Sequence, residues 1–525
     1  MKDTIMNGAE CLLRTLLANG VDTCFMNPGT SEMQFVSALD RVAGMRAVLC
    51  LFEGVCSGAA DGYARMTGRP ASTLLHLGPG LANALSNFHN ARKARSPVLS
   101  IVGQHSTQHL RHDAPLTSDI EALARPVSGY VRTVGRAEDV GKEASAAVQA
   151  ARLAPGQVAT LIVPADFSWS DAGEPGSALP VLPAPCPQAA RIRETAAVLR
   201  SGETAGLLLG GSALLPAGFE PAAQLAAATG VRVLGNRNGA RYACGGGRGA
   251  PPRLPYFPEA AEAALAGLKH LILVESQTPI SFFGYPGRRS ELAPQDCTIH
   301  VLASPEENGV EALRVLAREW GVDSAPPRVL HVPKPDWPDS AGLTPDTIGR
   351  VLAHLLPEGA IISDESVSSA EAISRHLTLA AAHDLLPVAG GSIGQGLPVA
   401  VGAAVACPNR KVIALEADGS AMYTLQSLWT MARERLDVTT VILANRRYRI
   451  LDIEMRRTGA GRVGPRAEEM IDLTRPEPDW VKLAEGFGVQ AVRVTTVDEF
   501  IREFGAAMRE PGPRLIEAVL DLSSL

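Results

Sequence analysis

Residues 412–451 read VIALEADGSAMYTLQSLWTMARERLDVTTVILANRRYRIL. One apolar run ends at a lone acid, Asp418, followed by Gly419 and Ser420. A helix-like stretch then leads to a second apolar run that ends at Asn445. Two strands joined by a crossover helix, here SAMYTLQSLWTMARERL, pair in parallel, and a right-handed crossover brings both carboxyl ends to one sheet edge. Asp418 and Asn445 then present two hard oxygens to one crevice, where open α/β sheets take their ligands. Gly419 and Ser420 open a helix whose free N–H groups and dipole favour a phosphate. Oxygen donors beside a phosphate suit Mg2+, which prefers octahedral oxygen ligation and keeps phosphate and water ligands. On spacing alone, a DG turn and a helix-capping Asn remain the plainer alternative.

The same rhythm of apolar strand, glycine-rich exit and helix recurs along all 525 residues. That length is too great for one hydrophobic core. Two proline-dense stretches, GSALPVLPAPCPQ (176–188) and APPRVLHVPKPDWPDSAGLTP (325–345), read as linkers. They divide the chain into expected domains at 1–175, 189–325 and 342–525. The first block offers VDTCFM, MRAVLCLF, ASTLLHL, PVLSIVG and VATLIVP as strands. The second offers TAGLLLGG, VRVLGN, HLILVES and CTIHVLA, and the third GAIISDES, KVIALEADG, VTTVILAN and PRLIEAVL. Strands alternating with helices predict an α/β protein of three doubly wound parallel-sheet domains.

Formal net charge is −6, with no basic stripe, which argues against nucleic acid and anionic lipid as partners. Eight cysteines lie singly, without a CxxC or a Cys/His cluster, the pattern of reduced thiols in a cytoplasm. The opening MKDTIMNGAECLLRTLLANG reads as a structural helix, and no apolar run approaches a membrane span. A cytoplasmic location is expected.

The stretch ADGS…AN resembles the signature of thiamine diphosphate enzymes, in which GDG is followed by an Asn after nearly thirty residues. FMNPGTSE (25–32), LFEGVCSGAADGYARMTGRPA (51–71), LLHLGPGLANALSNFHNARKARSPVLSIVGQ (74–104) and AGGSIGQGLPVAVGAAVA (389–406) continue the likeness in order. Together they resemble the pyruvate oxidase, acetolactate synthase and benzoylformate decarboxylase group. The three blocks then correspond to pyrimidine-binding, central and diphosphate-binding domains.

The resemblance implies thiamine diphosphate and Mg2+ as cofactors. Glu53 would hydrogen-bond the aminopyrimidine and share its proton, although a helix-capping Glu is the plainer reading of that residue alone. Ile393 would support the bent cofactor, and the Gly391 carbonyl would accept from the aminopyrimidine. Ser366, Ser368, Gly419, Ser420 and Tyr448 would line the diphosphate. Magnesium ligands would be the Asp418 carboxylate, the Asn445 amide oxygen and the Arg447 main-chain oxygen. Ala417 departs from the pattern, standing at the first Gly of GDG. Alanine disfavours φ > 0 and adds a methyl group, so weaker cofactor binding is expected there.

His76 falls where benzoylformate decarboxylase has a histidine near the substrate carboxylate, and Thr30 retains a hydroxyl where that enzyme has a serine. Phe282 is the nearest equivalent of its second histidine and carries no proton. Gln104, Phe282, Ile450 and Leu451 are expected to line the substrate pocket, with Glu454 at its rim. His105, His109 and His112 form a loop in which one histidine could relay protons. The central block is glycine-rich in LLLGGSALLPAG and NRNGARYACGGGRGA but lacks a GxGxxG in context, so FAD is possible but not favoured.

The activity implied is non-oxidative decarboxylation of a 2-oxo acid, the product being protonated to an aldehyde or ligated to a second carbonyl compound. Acetolactate synthesis from pyruvate is the alternative, and a non-catalytic cofactor-binding homologue a third. Because Glu53 and Asp418 lie in different domains, family precedent implies a cofactor bridging two chains. A homodimer is then the minimum active unit, and a homotetramer the usual assembly.

Overall fold

The computed structural model describes residues 6–323, 333–339, 342–461 and 463–521. Residues 325–332, 340 and 341 of the second expected linker lie outside the described residues, as do the first five residues and the last four. Three sheets are present. The first has six parallel strands in the order Arg46–Leu49, Thr23–Asn27, Ala71–Leu75, Val98–Gln104, Val158–Pro164 and Tyr130–Thr133. The second has four, Thr298–Ala303, His270–Val274, Ala205–Leu209 and Arg232–Gly235, again all parallel. The third runs Gln490–Val494, Arg514–Val519, Val438–Ala444, Val412–Ala417, Ala360–Glu365 and His383–Pro387 in parallel.

A seventh strand, Tyr242–Cys244, comes from the middle of the chain and adds antiparallel to His383–Pro387. The third sheet therefore departs at one edge from the purely parallel pattern. Three residues with little alternation give no usable periodicity, so this strand is not legible in the sequence.

Side-chain alternation explains the nearly continuous apolar runs. Phe25 joins one apolar cluster while Cys24 and Met26 join another. Likewise Val412 and Ala414 face one cluster, and Ile413 and Leu415 the opposite one. The central strands are covered on both faces, as a doubly wound sheet requires, while edge strands such as Arg46–Leu49 and Gln490–Val494 are partly exposed. One cluster is shared by the first and third sheets and another by the second and third, so the domains are cemented by common cores.

The first and third domains meet along helices Glu53–Thr67 and Gly396–Ala406. A Cβ at Gly58 would overlap Pro398, at Gly62 the Val399 main chain, and at Gly402 the Ala59 carbonyl. The glycine-rich wording of both motifs thus serves close helix packing. The expected crossover helix after Asp418 is broken into Asp418–Ala421 and Ser427–Glu434. The intervening turn has a use: the Thr424 hydroxyl donates to the Gly394 carbonyl at 3.0 Å, and Tyr423 packs against Gly394.

Candidate active site

Asp418 and Asn445 do leave one sheet edge together. Strands Val412–Ala417 and Val438–Ala444 pair in parallel with Ala417 opposite Leu443, so their exits coincide. The Asp418 carboxylate is 4 % exposed and accepts the Gly419 N–H at 2.9 Å and the Arg446 N–H at 2.5 Å. Its hydrogen bonds come from backbone alone, and burial pushes its pKa up to about 6. The Asn445 amide oxygen accepts the Arg447 N–H at 2.9 Å, after a left-handed turn at Arg446 with φ 56°. A buried carboxylate without a cation, beside an amide oxygen, fits a hard divalent ion. Among the described residues no group of three His, Cys, Asp or Glu side chains could hold a metal. An ion here would draw one carboxylate, one amide oxygen and one carbonyl from the chain, and the rest from phosphate and water.

Ala417 does not obstruct this arrangement. Its φ is −73° and ψ 141°, ordinary extended backbone, so the expected strain of alanine at this position does not arise. Gly419 is the position that must be small, because Tyr448 packs across it and a Cβ would overlap the ring. Ser420 follows in the short helix, buried. Ser366 is buried and its hydroxyl donates to Asp364, while Ser368 is half-buried on the next turn. Val367 between them has φ 46°.

The loop from Gly390 to Gly396 joins strand His383–Pro387 to helix Gly396–Ala406. Gly391 and Gly394 have φ of 80° and 87°, open to glycine without strain. Glu365 receives the N–H groups of Gly394 and Gly396 on its two oxygens, at 2.7 and 2.5 Å. Burial pushes its pKa up to about 7, against the pull of those amides, and the wholly buried Glu416 beside it is raised in the same direction. Sequence reasoning missed both acids. Glu365 stood in the quoted GAIISDES, but nothing in its spacing says that it points beneath the loop. The Gly391 and Ile393 main chains make no hydrogen bond among the described residues, which leaves them for a ligand. Phe282 rests on Gly391, where a Cβ would overlap its ring, and it packs edge to face with Phe283 and tilted against Tyr256.

Ile450 and Leu451 begin helix Arg449–Arg457, half-buried and exposed respectively. Glu454 on that helix accepts the Tyr285 hydroxyl at 2.9 Å and the Tyr256 hydroxyl at 3.5 Å. It ties the helix to the aromatic wall that carries Phe282.

At the first domain's edge, Glu53 opens helix Glu53–Thr67 and is 8 % exposed. Its carboxylate lies between two carboxamides: Asn27 donates to Oε1 at 3.0 Å and Asn83 to Oε2 at 2.9 Å. The surroundings of this acid are therefore polar, and both partners went unread in the sequence. Nearby, His76 Nδ1 lies 2.8 Å from Glu32 Oε2, which also accepts the Gly29 N–H at 2.7 Å. Gly29 must be small because a Cβ would overlap the His76 ring. Burial raises the Glu32 pKa, while the Gly29 N–H and His76 oppose the rise. Thr30 is exposed on the turn Thr30–Glu32 beside this pair. Glu32 is a further residue missed; its only signal was a position two residues after Thr30. Gln104 is spent on its own loop, its amide oxygen accepting the His105 N–H at 2.8 Å. His105 packs edge to face with His109, and His109 tilted against His112, with ring centroids 5.2 and 5.8 Å apart. Burial, then the neighbouring His109 and His76, lower the His105 pKa.

The second sheet ends differently. Glu275 follows strand His270–Val274 and receives the Ser212 N–H at 2.6 Å, the Ser212 hydroxyl at 2.8 Å and the Gly309 N–H at 2.8 Å. Gly210, Gly211 and Gly309 clear the space that Glu275 fills.

Three doubly wound sheets, with a phosphate-and-cation edge on the last and a buried acid on the first, define an enzyme built around a diphosphate cofactor. The chain belongs to the thiamine pyrophosphate enzymes. Residues 6–123 match the family's N-terminal TPP binding domain, and residues 369–518 its C-terminal TPP binding domain. It is 50 % identical to a Mycobacterium tuberculosis protein named "Putative acetolactate synthase large subunit IlvX", over 98 % of this chain and 99 % of that one. It is 30 % identical to benzoylformate decarboxylase of Pseudomonas aeruginosa, over 96 % of each. The structure superposes on a thiamine diphosphate-dependent 4-hydroxybenzoylformate decarboxylase of Rhodococcus jostii RHA1 with a TM-score of 0.85 and 27 % identity, covering 98 % of this chain and 99 % of that one. The protein is thus a thiamine diphosphate-dependent enzyme of the decarboxylase and synthase group.

Proposed function

We propose that the protein is a Mg2+-dependent, non-oxidative enzyme that decarboxylates a 2-oxo acid, its product being protonated to an aldehyde or ligated to a second carbonyl compound. The observation that carries this reading is the buried, cation-free Asp418 carboxylate beside Asn445, at the edge that also offers the Gly419–Ser420 helix start. Asp418, Asn445 and the Arg447 carbonyl would hold Mg2+. Gly419, Ser420, Ser366, Ser368 and Tyr448 would surround the diphosphate. Thiamine diphosphate, when bound, supplies a nucleophilic carbon and an electron sink for the electrons released with CO2.

The chain's own residues would manage protons and shape. Glu53, fixed by Asn27 and Asn83, would hold and return a proton at the aminopyrimidine. Ile393, from a loop clamped on both sides, would press the cofactor into its bent form, with the Gly391 carbonyl accepting. Glu32 would fix the orientation of His76, so that its Nε2 faces substrate and Thr30 beside it adds a hydroxyl. Phe282, with Ile450, Leu451 and Gln104, would form the wall against the acid's side chain and keep water from the reacting carbon.

Because the partners of Glu53 and Asp418 lie each in its own domain, the minimum active unit is read as a homodimer, commonly paired into a homotetramer. FAD is not favoured, since Glu275 sets an anion on the wall of the central cavity and takes the N–H groups that a phosphate would need. No helix among the described residues is long and apolar enough to cross a membrane, and a cytoplasmic place agrees with the scattered free cysteines. The second reading, acetolactate synthesis from pyruvate, is favoured by the name of the 50 % identical relative.

Purified protein with Mg2+ and thiamine diphosphate should be offered a panel of 2-oxo acids, with products read by mass spectrometry. Aldehydes alone would establish a decarboxylase, 2-hydroxyketones or acetohydroxy acids a ligase. The absence of CO2 from every acid would leave a non-catalytic cofactor-binding homologue.

A further inference from the structure

Helix Leu77–Ala94 carries asparagines at 83, 87 and 90, spacings of four and three that set them on one face. Asn83 donates to Glu53. Asn87 is 1 % exposed and fully engaged: Nδ2 donates to the Gly54 carbonyl at 2.9 Å and the Gly394 carbonyl at 3.1 Å, while Oδ1 accepts from Asn90 at 3.0 Å. Asn90, wholly buried, donates to the Ser392 carbonyl at 2.8 Å and accepts the Ser392 N–H at 3.2 Å. Between them, Asn87 and Asn90 hold alternate residues of the loop and leave Gly391 and Ile393 unbonded. A Cβ at Gly390 would overlap Asn90, and one at Gly58 would press on Asn87, so glycines make room for the row.

Asn87 and Asn90 form a satisfied buried polar network, costly to disturb at either member, and Asn83 joins it through the rigid helix they share. We propose that Asn83, Asn87 and Asn90 are positioning residues, a ladder that fixes the Glu53 carboxylate and the Gly390–Gly394 loop in mutual register. The inference rests on the reading of Glu53 and Ile393 given above. If the cofactor lies between two chains, the ladder joins the acid serving one site to the loop serving the other.

The test has two readouts. Hydrogen exchange, followed by mass spectrometry on the ligand-free protein, compares wild type with Asn83→Ala, Asn90→Ala and Ser86→Ala. Asn83 is exposed and its side chain bonds only to Glu53, so its loss leaves the core intact. The ladder requires Asn83→Ala to speed exchange severalfold in peptides spanning 388–397, and Asn90→Ala to do so in peptides spanning 51–57. Ser86→Ala, on the same helix, should change neither. Faster exchange confined to each variant's own end would overturn the proposal.

The second readout is turnover of a 2-oxo acid. Asn83→Ala and Asn90→Ala should each lower kcat about 10-fold with KM within about threefold. The double variant should fall about 10-fold rather than the roughly 100-fold that independent sites would give. Additive losses would overturn the coupling. If Asn90→Ala fails to fold, Asn90→Ser takes its place in both arms. Should wild type turn over no 2-oxo acid, the functional reading fails while the exchange data still decide the ladder.

Discussion

Asp418 and Glu275 each stand one residue past a strand at the carboxyl edge of a doubly wound sheet, and their carboxylates meet opposite fates. Glu275 lies between strands Ala205–Leu209 and His270–Val274, whose connections leave in opposite directions, the switch point at which such sheets bind ligands. It reaches across to a hydroxyl and to N–H groups of two other segments, one of them the start of helix Gly309–Glu319. The chain has placed its own anion where a nucleotide phosphate would bind, on the wall of a cavity of about 410 Å3 that Gly211, Ser212 and Asn236 also line. Asp418 bonds only to main chain at the two adjoining strand exits, and burial raises its pKa. Equivalent topology thus places one acid on donors from two distant segments and leaves the other on the main chain of its own strand exits.

The sharpest way to break this comparison is Asp418→Ala. Loss of the one carboxylate at the proposed cation site should lower kcat by about 10³-fold or more, roughly 4 kcal/mol of transition-state stabilisation. Isothermal titration should show Mg2+-dependent cofactor binding abolished while the melting temperature moves little. Glu53→Gln comes next, with a fall in kcat of about 10²–10³-fold and the cofactor still bound, since the amide keeps the shape but cannot exchange the proton. Full turnover in either variant would remove that residue from the mechanism.

Glu275→Gln should show the converse pattern. It sets an amide N–H2 against the N–H donors of Ser212 and Gly309, costing about 1–3 kcal/mol in urea unfolding, with kcat per folded molecule unchanged. A large loss of activity without loss of stability would mean that the central crevice takes part in the chemistry.

Smaller effects follow from pH. Glu365 has its pKa raised from 4.5 to about 7, and Asp418 from 3.8 to about 6. The folded, ligand-free protein holds these protons more tightly than the unfolded chain does. Its stability should therefore fall as pH rises through the window from about 4 to 7. Saturating Mg2+ and cofactor should flatten the part belonging to Asp418, because the ion replaces the proton. Unfolding curves at intervals across that window would show it, and a slope of opposite sign would contradict the burial of these acids. Smallest of all, Ala417→Gly should alter cofactor affinity less than about threefold, because residue 417 already has extended backbone that alanine adopts freely.

Much of the molecule was legible without coordinates. Runs such as VIALEA and VTTVILA could only be strands buried on both faces, and their alternation with helices fixed parallel sheets. Asp418, Asn445, Glu53 and Ile393 stood at strand exits or glycine turns, where local sequence already marks a special role. The partners of these residues were not legible. Asn27 and Glu365 at strand ends, Glu32 in a turn and Asn83 on a helix look like any polar residue there, and they acquire purpose through segments tens of residues away.

The sequence by itself determined the alternation, the family and the ends of the strands at which chemistry could occur, because periodicity, turns and helix starts are local properties of the chain. Tertiary structure alone decided that Glu275 would draw donors from two distant segments while Asp418 kept only main-chain donors at its own sheet edge. It alone set three asparagines against both the acid and the loop, and let an antiparallel strand from the centre of the chain close the last sheet. Those outcomes depend on which distant backbone groups converge in space, and burial then gives each unpaired or paired polar atom its energetic weight.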